Sequence, residues 1–318
     1  DFEIHLSTQA NTYDKYAVRV AKRLGYKRVV LARELSLNEI KEICEDKGAD
    51  IEVFVHGAVC ICYSGECQLS RSYGGRSANR GRCAQPCRLL YEVDDDSSKR
   101  YYSLSPKDMC QIDNLGELID AGVISFKIEG RMKLPEYVGV VTSIYRKYID
   151  KYLEFGEYEV SDEDRNALLQ IFNRGDFTEG YMHYDPGKEF MSDFIPKNKG
   201  IFVGRVSELT KNSRLVKISS NLDIKMHDGI EIRDRDGEIV SSGTITYCEK
   251  LGRNSFLIGD IKGRVKEREL LYRTSSIEQL DMIRRTFRNI DIFSEEDIRD
   301  GRKLDINFIC ACYGGKLT

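Results

Sequence analysis

Over its first 155 residues the chain alternates short β-branched strands with amphipathic helices, and this alternation restricts the fold more than any other feature. "FEIHLS" (2–7) precedes a helical pattern over 13–24, and "RVVLAR" (28–33) precedes "SLNEIKEICEDKG", which starts at a Ser N-cap and ends at Gly48. "IEVFVHG" (51–57) runs into a cysteine-rich loop at 58–90. "SFKIEG" (125–130) leads to a helix from about Pro135 to Glu154, with proline in its first turn. Such units call for a parallel sheet with βαβ crossovers. About four or five are visible, so the expected class is α/β, with residues 1–155 forming the C-terminal half of a (β/α)8 TIM-like barrel. An open doubly wound sheet is the alternative, but no G-x-G-x-x-G follows any strand, so its dinucleotide-binding version has no support.

A hairpin is expected in "LLYEVDDDSSKRYYSLS", with its polar turn at 94–99. Residues 156–198 read as a polar linker. Residues 199–275 read as a small antiparallel β-barrel, whose "DRDGE" is a hairpin signal. Residues 276–318 read as a helix and the start of a truncated accessory domain. The chain opens at Asp1 within a strand pattern and stops at "GGKLT", so a fragment of a longer protein is expected.

No apolar run approaches the roughly 20 residues of a membrane helix, and no signal peptide pattern is present. A cytoplasmic location is expected. With a net charge of −3, nucleic-acid contact requires a local patch. Arg71, Arg76, Arg80, Arg82 and Arg88 supply one, with no acid among them. The plainer reading of these arginines is a solvated loop.

Residues 56–91 hold five of the ten cysteines. Cys60, Cys62, Cys67, Cys83 and Cys87 lie in the loop, and Cys110 follows. A zinc ribbon shows two C-x2-C pairs, and none is present. The open spacing, with C-x3-C at Cys83 and Cys87, suits a [4Fe–4S] cube better than a single ion. The intervening glycines and small residues let backbone approach sulfur. Cys44, Cys62, Cys248, Cys310 and Cys312 read as small buried hydrophobes.

"EVFVHGAVCICYSGECQLS" (52–70) closely resembles the hallmark of the collagenase-like peptidase family, U-type family thirty-two. "GRSANRGRCAQPCRLLY" (75–91), "SLSPKDMC" (103–110), "FKIEGRMK" (126–133), "STQAN" (7–11) and "LARELSL" (31–37) extend the match across essentially the whole chain. "GRSANRGRCAQPCR" is most similar to the branch that hydroxylates ribosomal-RNA cytidine, with tRNA uridine hydroxylases close by. The resemblance implies a TIM-like barrel, a small β-barrel, a 4Fe–4S cluster on four cysteines, and oxygen-independent RNA hydroxylation with prephenate as co-substrate. It places the metal on Cys60, Cys67, Cys83 and either Cys87 or Cys110, of which Cys87 is preferred for its short spacing. A partner subunit is left open.

Further candidates flank the same strand ends. His56 is a catalytic or structural histidine, and a Cys–His dyad with Cys60 or Cys67 would be needed for a thiol peptidase. Lys107 and Asp108 follow the "SLS" strand. Lys127, Glu129 and Arg131 run along and out of "FKIEG"; Lys127 and Glu129 share parity and can pair with each other, while Lys127 and Arg131 can hold an anionic carboxylate. Ser7, Gln9, Arg33 and Glu34 end earlier strands. The leading expectation is an iron–sulfur RNA hydroxylase whose arginine loop and small barrel hold RNA phosphates. The rivals are a collagenase-like peptidase and a non-catalytic RNA-binding module with structural zinc.

Overall fold

The computed structural model describes residues 2–92, 100–192, 194–211 and 214–287, together with the backbone of 312–313 and 316–317. The first sheet has six strands: β1 (His5–Leu6), β2 (Arg28–Val30), β3 (Asp50–Ala58), β6 (Asp108–Cys110), β7 (Ser125–Ile128) and β8 (Phe177–Thr178). Its path is β1-β2-β3-β6-β8, with β7 also paired to β3. β1, β2, β3 and β7 are mutually parallel. β6 runs antiparallel to the end of β3, pairing Ala58 with Asp108, and β8 runs parallel to β6.

Local chemistry fixes the helices between these strands. Asp14 caps α1 (Lys15–Arg23) by accepting from Ala17 N at 2.7 Å. Ser36 and Glu39 form a capping box at α2 (Leu37–Glu45), as S-x-x-E spacing dictates. α4 (Leu115–Asp120) precedes β7. Pro135 opens α5 (Pro135–Phe155), and Gly156 closes it in the left-handed region at φ 77.

One face of the sheet, with Val29, Leu31, Ile51, Val53 and Val55, packs on Val18, Ile40, Ile43, Val141, Tyr145 and Tyr148 of these helices. Burial of each large side chain contributes about 1.5–3 kcal/mol.

The second sheet is antiparallel and seven-stranded: β9 (Ile201–Leu209), β10 (Leu215–Ser220), β11 (Gly229–Arg233), β12 (Ile239–Thr244), β13 (Cys248–Gly252), β14 (Ser255–Gly259) and β15 (Leu270–Ser275). In the order β12-β11-β15-β9-β10-β14-β13 it forms a half-barrel around Val203, Val206, Val216, Ile218, Ile232, Phe256, Ile258 and Leu271. β9, β10, β11, β14 and β15 supply this core; Val216 and Ile218, like Phe256 and Ile258, sit at the two-residue spacing that a pleated sheet with one buried face requires.

Polar contacts tie the two sheets together. In α6 (Asp162–Ile171), Gln170 donates to Arg273 O at 2.9 Å and accepts from Arg273 Nε at 2.8 Å. Asn198 donates to Thr274 O at 2.8 Å. In α7 (Ile277–Phe287), Arg284 pairs with Glu136 of α5 at 2.7 Å.

Several expectations change. The α/β class holds, but the first sheet is mixed, and among the described residues its path does not close. The stretch 156–198 is more than a polar linker, because it carries α6 and β8. α6 was hard to see because Asp162, Glu163 and Asp164 crowd its first turn, and it buries only Leu168 and Gln170.

"SLS" forms a turn rather than a strand, with Ser105 N donating to Tyr102 O at 2.9 Å. Pro106 has no N–H to offer a ladder, so regular pairing begins after it. β4 (Tyr91–Glu92) and β5 (Arg100–Tyr101) form the expected hairpin, and its turn at 94–99 lies outside the described residues. Cys310 and the Cys312 side chain, with most of the expected accessory segment, also lie outside them. Among the described residues no helix is long and apolar enough to cross a membrane.

Candidate functional site

Because β1, β2, β3 and β7 are parallel, their C-terminal ends share one edge of the sheet, and the antiparallel β6 brings its first residue, Asp108, to the same edge. The cysteine loop leaves β3 there. Near the C-terminal end of β3, Gly57 has φ 106, and a Cβ would press on the Glu129 carbonyl, so glycine is required.

Earlier strand ends hold the loop. Glu34 accepts from Ser64 N at 3.0 Å and from Ser64 Oγ at 3.1 Å. Arg33 reaches the same Ser64 hydroxyl through its backbone N and Nε, while its Nη2 donates to Cys60 Sγ at 3.3 Å. Ser7 acts locally, capping the short turn Thr8–Ala10. The backbone of Gln9 packs against Gly65.

Cys60 and Cys83 are exposed; Cys62, Cys67 and Cys87 are half-buried. The Cys87 thiol is pushed up by burial, and Cys60, Cys83 and Cys67 all act on it electrostatically. Burial also raises Cys62, as do Cys67, in hydrogen-bonding contact with it, and Cys60. Cys62 therefore belongs to the thiol group and not to the apolar core, contrary to expectation. Gln85 N donates to Cys83 Sγ at 3.3 Å, and Ser70 Oγ lies 3.6 Å from the same sulfur.

Among the described residues no three His, Cys, Asp or Glu side chains converge on one point suited to a single metal ion. Cys110 is elsewhere. It is buried, its thiol is pushed up to about 11 by burial, and it lies 3.7 Å from the Tyr145 hydroxyl. Cys44 and Cys248 are small hydrophobes as expected, each packed against one of the two cores.

The five arginines separate into two groups. Arg71, Arg76, Arg80 and Arg82 are exposed. Arg88 turns inward and donates to Ser105 Oγ at 2.7 Å, to Val59 O at 3.1 Å and to Pro106 O. It anchors the loop to the sheet, so its expected place in an exposed RNA patch is corrected.

His56 is 1% exposed, enclosed by Tyr137, Tyr145 and Phe177, with Nδ1 3.3 Å from Tyr145 Oη. Burial, reinforced by the Lys133 charge, lowers it to about 3, so it is neutral. Its Nε2 has no partner among the described residues.

Asp108 is buried and paired with Arg174. Lys107, just before β6, lines a separate cavity with Tyr101, Lys188 and Ser192. Lys127 pairs with Glu52 at 3.2 Å rather than with Glu129. Glu52 also accepts from Ser125 at 2.8 Å; these bonds outweigh its burial and hold it below the usual carboxylate range. Glu129 instead accepts from Arg131 N at 2.8 Å, and Arg131 Nη2 donates to Gly81 O at 3.1 Å. Lys127 and Arg131 thus face different partners and do not form one carboxylate clamp.

The sequence reading missed Lys133 and Arg174. Both line a cavity of about 570 Å3 between the two sheets, together with Arg131, Gln85, Tyr137 and Phe172. Arg174 was hidden in the supposed linker, and Lys133 ends the quoted "FKIEGRMK" without a spacing that marks it.

The chain is similar in sequence to several known proteins. A 23S rRNA 5-hydroxycytidine synthase of Escherichia coli K12 is 37% identical over 267 residues, covering 80% of this chain and 40% of the relative. A tRNA hydroxylation protein of Bacillus subtilis is 38% identical over 242 residues, covering 72% and 57%. A protein named collagenase from Porphyromonas gingivalis W83 is 41% identical over 198 residues, covering 56% and 47%. The chain thus spans about half the length of these relatives. The sequence profile described as Peptidase family U32 matches residues 1–192, and the chain belongs to that family.

Proposed function

We propose that the chain is the core of an iron–sulfur-dependent, oxygen-independent RNA hydroxylase, with its six-stranded sheet part of a (β/α)8 barrel and its half-barrel part of a small β-barrel. The observation that carries this reading is the gathering of Cys60, Cys67, Cys83 and Cys87 in one loop at the C-terminal strand edge. The donor set fits a thiolate-ligated cluster. Cys60, Cys67 and Cys83 lie near enough to act electrostatically on Cys87, Gln85 N and Arg33 donate toward sulfur, and such donors tune cluster potential. The position of Cys110 beside Tyr145 favours Cys87 as the fourth ligand. Bound there, a 4Fe–4S cluster would supply one-electron chemistry.

Around it, this chain's residues do the positioning. Arg33, Glu34 and Arg88 fix the loop, and Asp108 with Arg174 orders the floor beneath it. Arg71, Arg76, Arg80 and Arg82 meet RNA phosphate as an exposed basic patch. The names of two relatives, which specify ribosomal-RNA and tRNA hydroxylation, support RNA as the substrate class, with prephenate as co-substrate by family resemblance.

The relative named collagenase supports a peptidase reading. Yet His56 lies among Tyr137, Tyr145 and Phe177, with Tyr145 at its Nδ1 and no cysteine in hydrogen-bonding contact with it among the described residues, which weighs against the Cys–His dyad a thiol peptidase needs.

The test is iron and sulfide content after anaerobic purification. About four of each per chain are expected, lost in Cys60→Ser, Cys67→Ser, Cys83→Ser and Cys87→Ser and retained in Cys110→Ser. Stoichiometric zinc without iron would favour the zinc-module reading.

A further inference from the structure

Lys133 is half-buried and has no carboxylate partner among the described residues. Its ammonium lies over the Phe172 ring and 5.2 Å from the Tyr137 centroid. The charged groups facing it come from several elements: Arg174 before β8, Asp108 of β6, Arg88 of the cysteine loop and Glu129 beyond β7. Neutral His56 of β3 also feels its charge. Asp108 is already paired with Arg174, and Glu129 accepts from Arg131 N. The surroundings of Lys133 therefore carry excess positive charge in a partly desolvated place, an arrangement that is unfavourable until an anion compensates it.

The cavity beside Lys133 has room for one. Its volume, about 570 Å3, lies in the range of small-molecule sites. Arg131, Lys133 and Arg174 line it, Phe172 and Leu134 provide apolar surface, and Asn198, just before β9, and Ser275 of β15 contribute polar groups. The other charged lining residues are already paired, Glu136 with Arg284 and Lys197 with Glu231.

We propose that this cavity binds a small organic anion, with its oxyanion held by Arg131 and Lys133 and its apolar body laid against Phe172 and Leu134. The assignment stands whether or not the cysteine loop carries a cluster. Burial lowers free Lys133 to about 7, assisted by Arg174. A bound anion favours the ammonium and raises it again. Binding below pH 7 therefore moves little proton, while binding above pH 7 takes one up. Affinity falls as pH rises beyond 7, by up to about tenfold per unit.

The test is calorimetry on the full chain with phenylacetate and, separately, inorganic phosphate, at pH 6.5 and 8.5 in buffers of different ionisation heat. Phenylacetate is expected to bind one site, at least about tenfold weaker at pH 8.5, with proton uptake approaching one. Lys133→Gln should lose at least about tenfold in affinity at pH 6.5. Lys133→Arg, always charged, should bind without proton uptake. Thermal unfolding checks that both variants fold. Unchanged binding by folded Lys133→Gln, proton uptake persisting in Lys133→Arg, or no saturable binding of either probe would overturn the proposal. Phosphate binding as tightly as phenylacetate would also overturn it, and would point to an RNA backbone phosphate as occupant.

Discussion

Arg88 donates a 2.7 Å hydrogen bond to the hydroxyl of Ser105, a residue with no exposed surface. The same guanidinium serves Val59 O, so one side chain joins the end of the cysteine loop to both its start and the approach to β6. Arg88→Ala leaves these acceptors without their charged donor, which costs about 1–3 kcal/mol. Chemical denaturation should show that loss. Arg76→Ala and Arg82→Ala, on exposed positions, should leave stability within about 0.5 kcal/mol and weaken RNA binding instead. Equal stability for all three variants would remove the distinction between anchor and patch.

Asp108 and Arg174 form a second inward pair, with side chains 2% and 12% exposed. Removing one partner strands the other charge, so Arg174→Met alone should destabilise by about 3–5 kcal/mol. Adding Asp108→Asn removes that stranded charge and should recover a substantial part. The check is a double-mutant cycle by urea unfolding; strictly additive effects would show that the pair is not coupled.

The sequence announced some of this arrangement and concealed the rest, for physical reasons. β3 was plain because Ile51, Val53, Phe54 and Val55 cluster β-branched and aromatic side chains in one short run, and α2 because Ser36 and Glu39 have capping-box spacing. The cysteines were plain because thiols at open spacing in a polar loop have few structural uses. β8 has two residues and exists through its pairing with β6, so nothing local signals it. Arg88 looked like its four neighbours because a sequence does not say which arginine turns inward. Lys133 and Arg174 are far apart in the chain, and only the return through α6 to β8 makes them neighbours.

His56 ties stability to pH. Its folded value is about 3 against an ordinary value near 6.5, mainly because of burial. The unfolded chain therefore binds the extra proton between these limits. The contribution of neutral His56 is fully present above about pH 6.5 and is lost as pH falls toward 3, by an amount on the order of 3–5 kcal/mol. Unfolding free energies should rise with pH from 4 to about 6.5, where the His56 contribution levels off. Any further rise above pH 7 belongs to Lys133, whose partly buried ammonium releases its proton near 7. His56→Gln should flatten the acid limb while losing some stability at pH 7. An unchanged acid limb in the variant would assign the effect to other groups.

Gly65 sets how closely the cysteine loop approaches the turn after the first strand. It has φ +80, and a Cβ there would overlap the Gln9 carbonyl oxygen, a backbone atom that has little freedom to yield. Gly65→Ala therefore combines a strained backbone with a steric conflict. The affected contact lies between Ser64, held by Glu34, and Cys67, so the alanine should push the thiol loop away from the strand ends without touching either apolar core. Limited proteolysis should cut residues 66–90 faster in this variant, and iron loading should drop, while the main unfolding transition shifts by only a few degrees. Gly74→Ala is the matched control. It lies at the end of helix α3 (Leu69–Gly74) with open space at its Cβ, and alanine is the better helix former there. Equal cleavage rates for the two variants would show that close packing on Gln9 does not hold the loop.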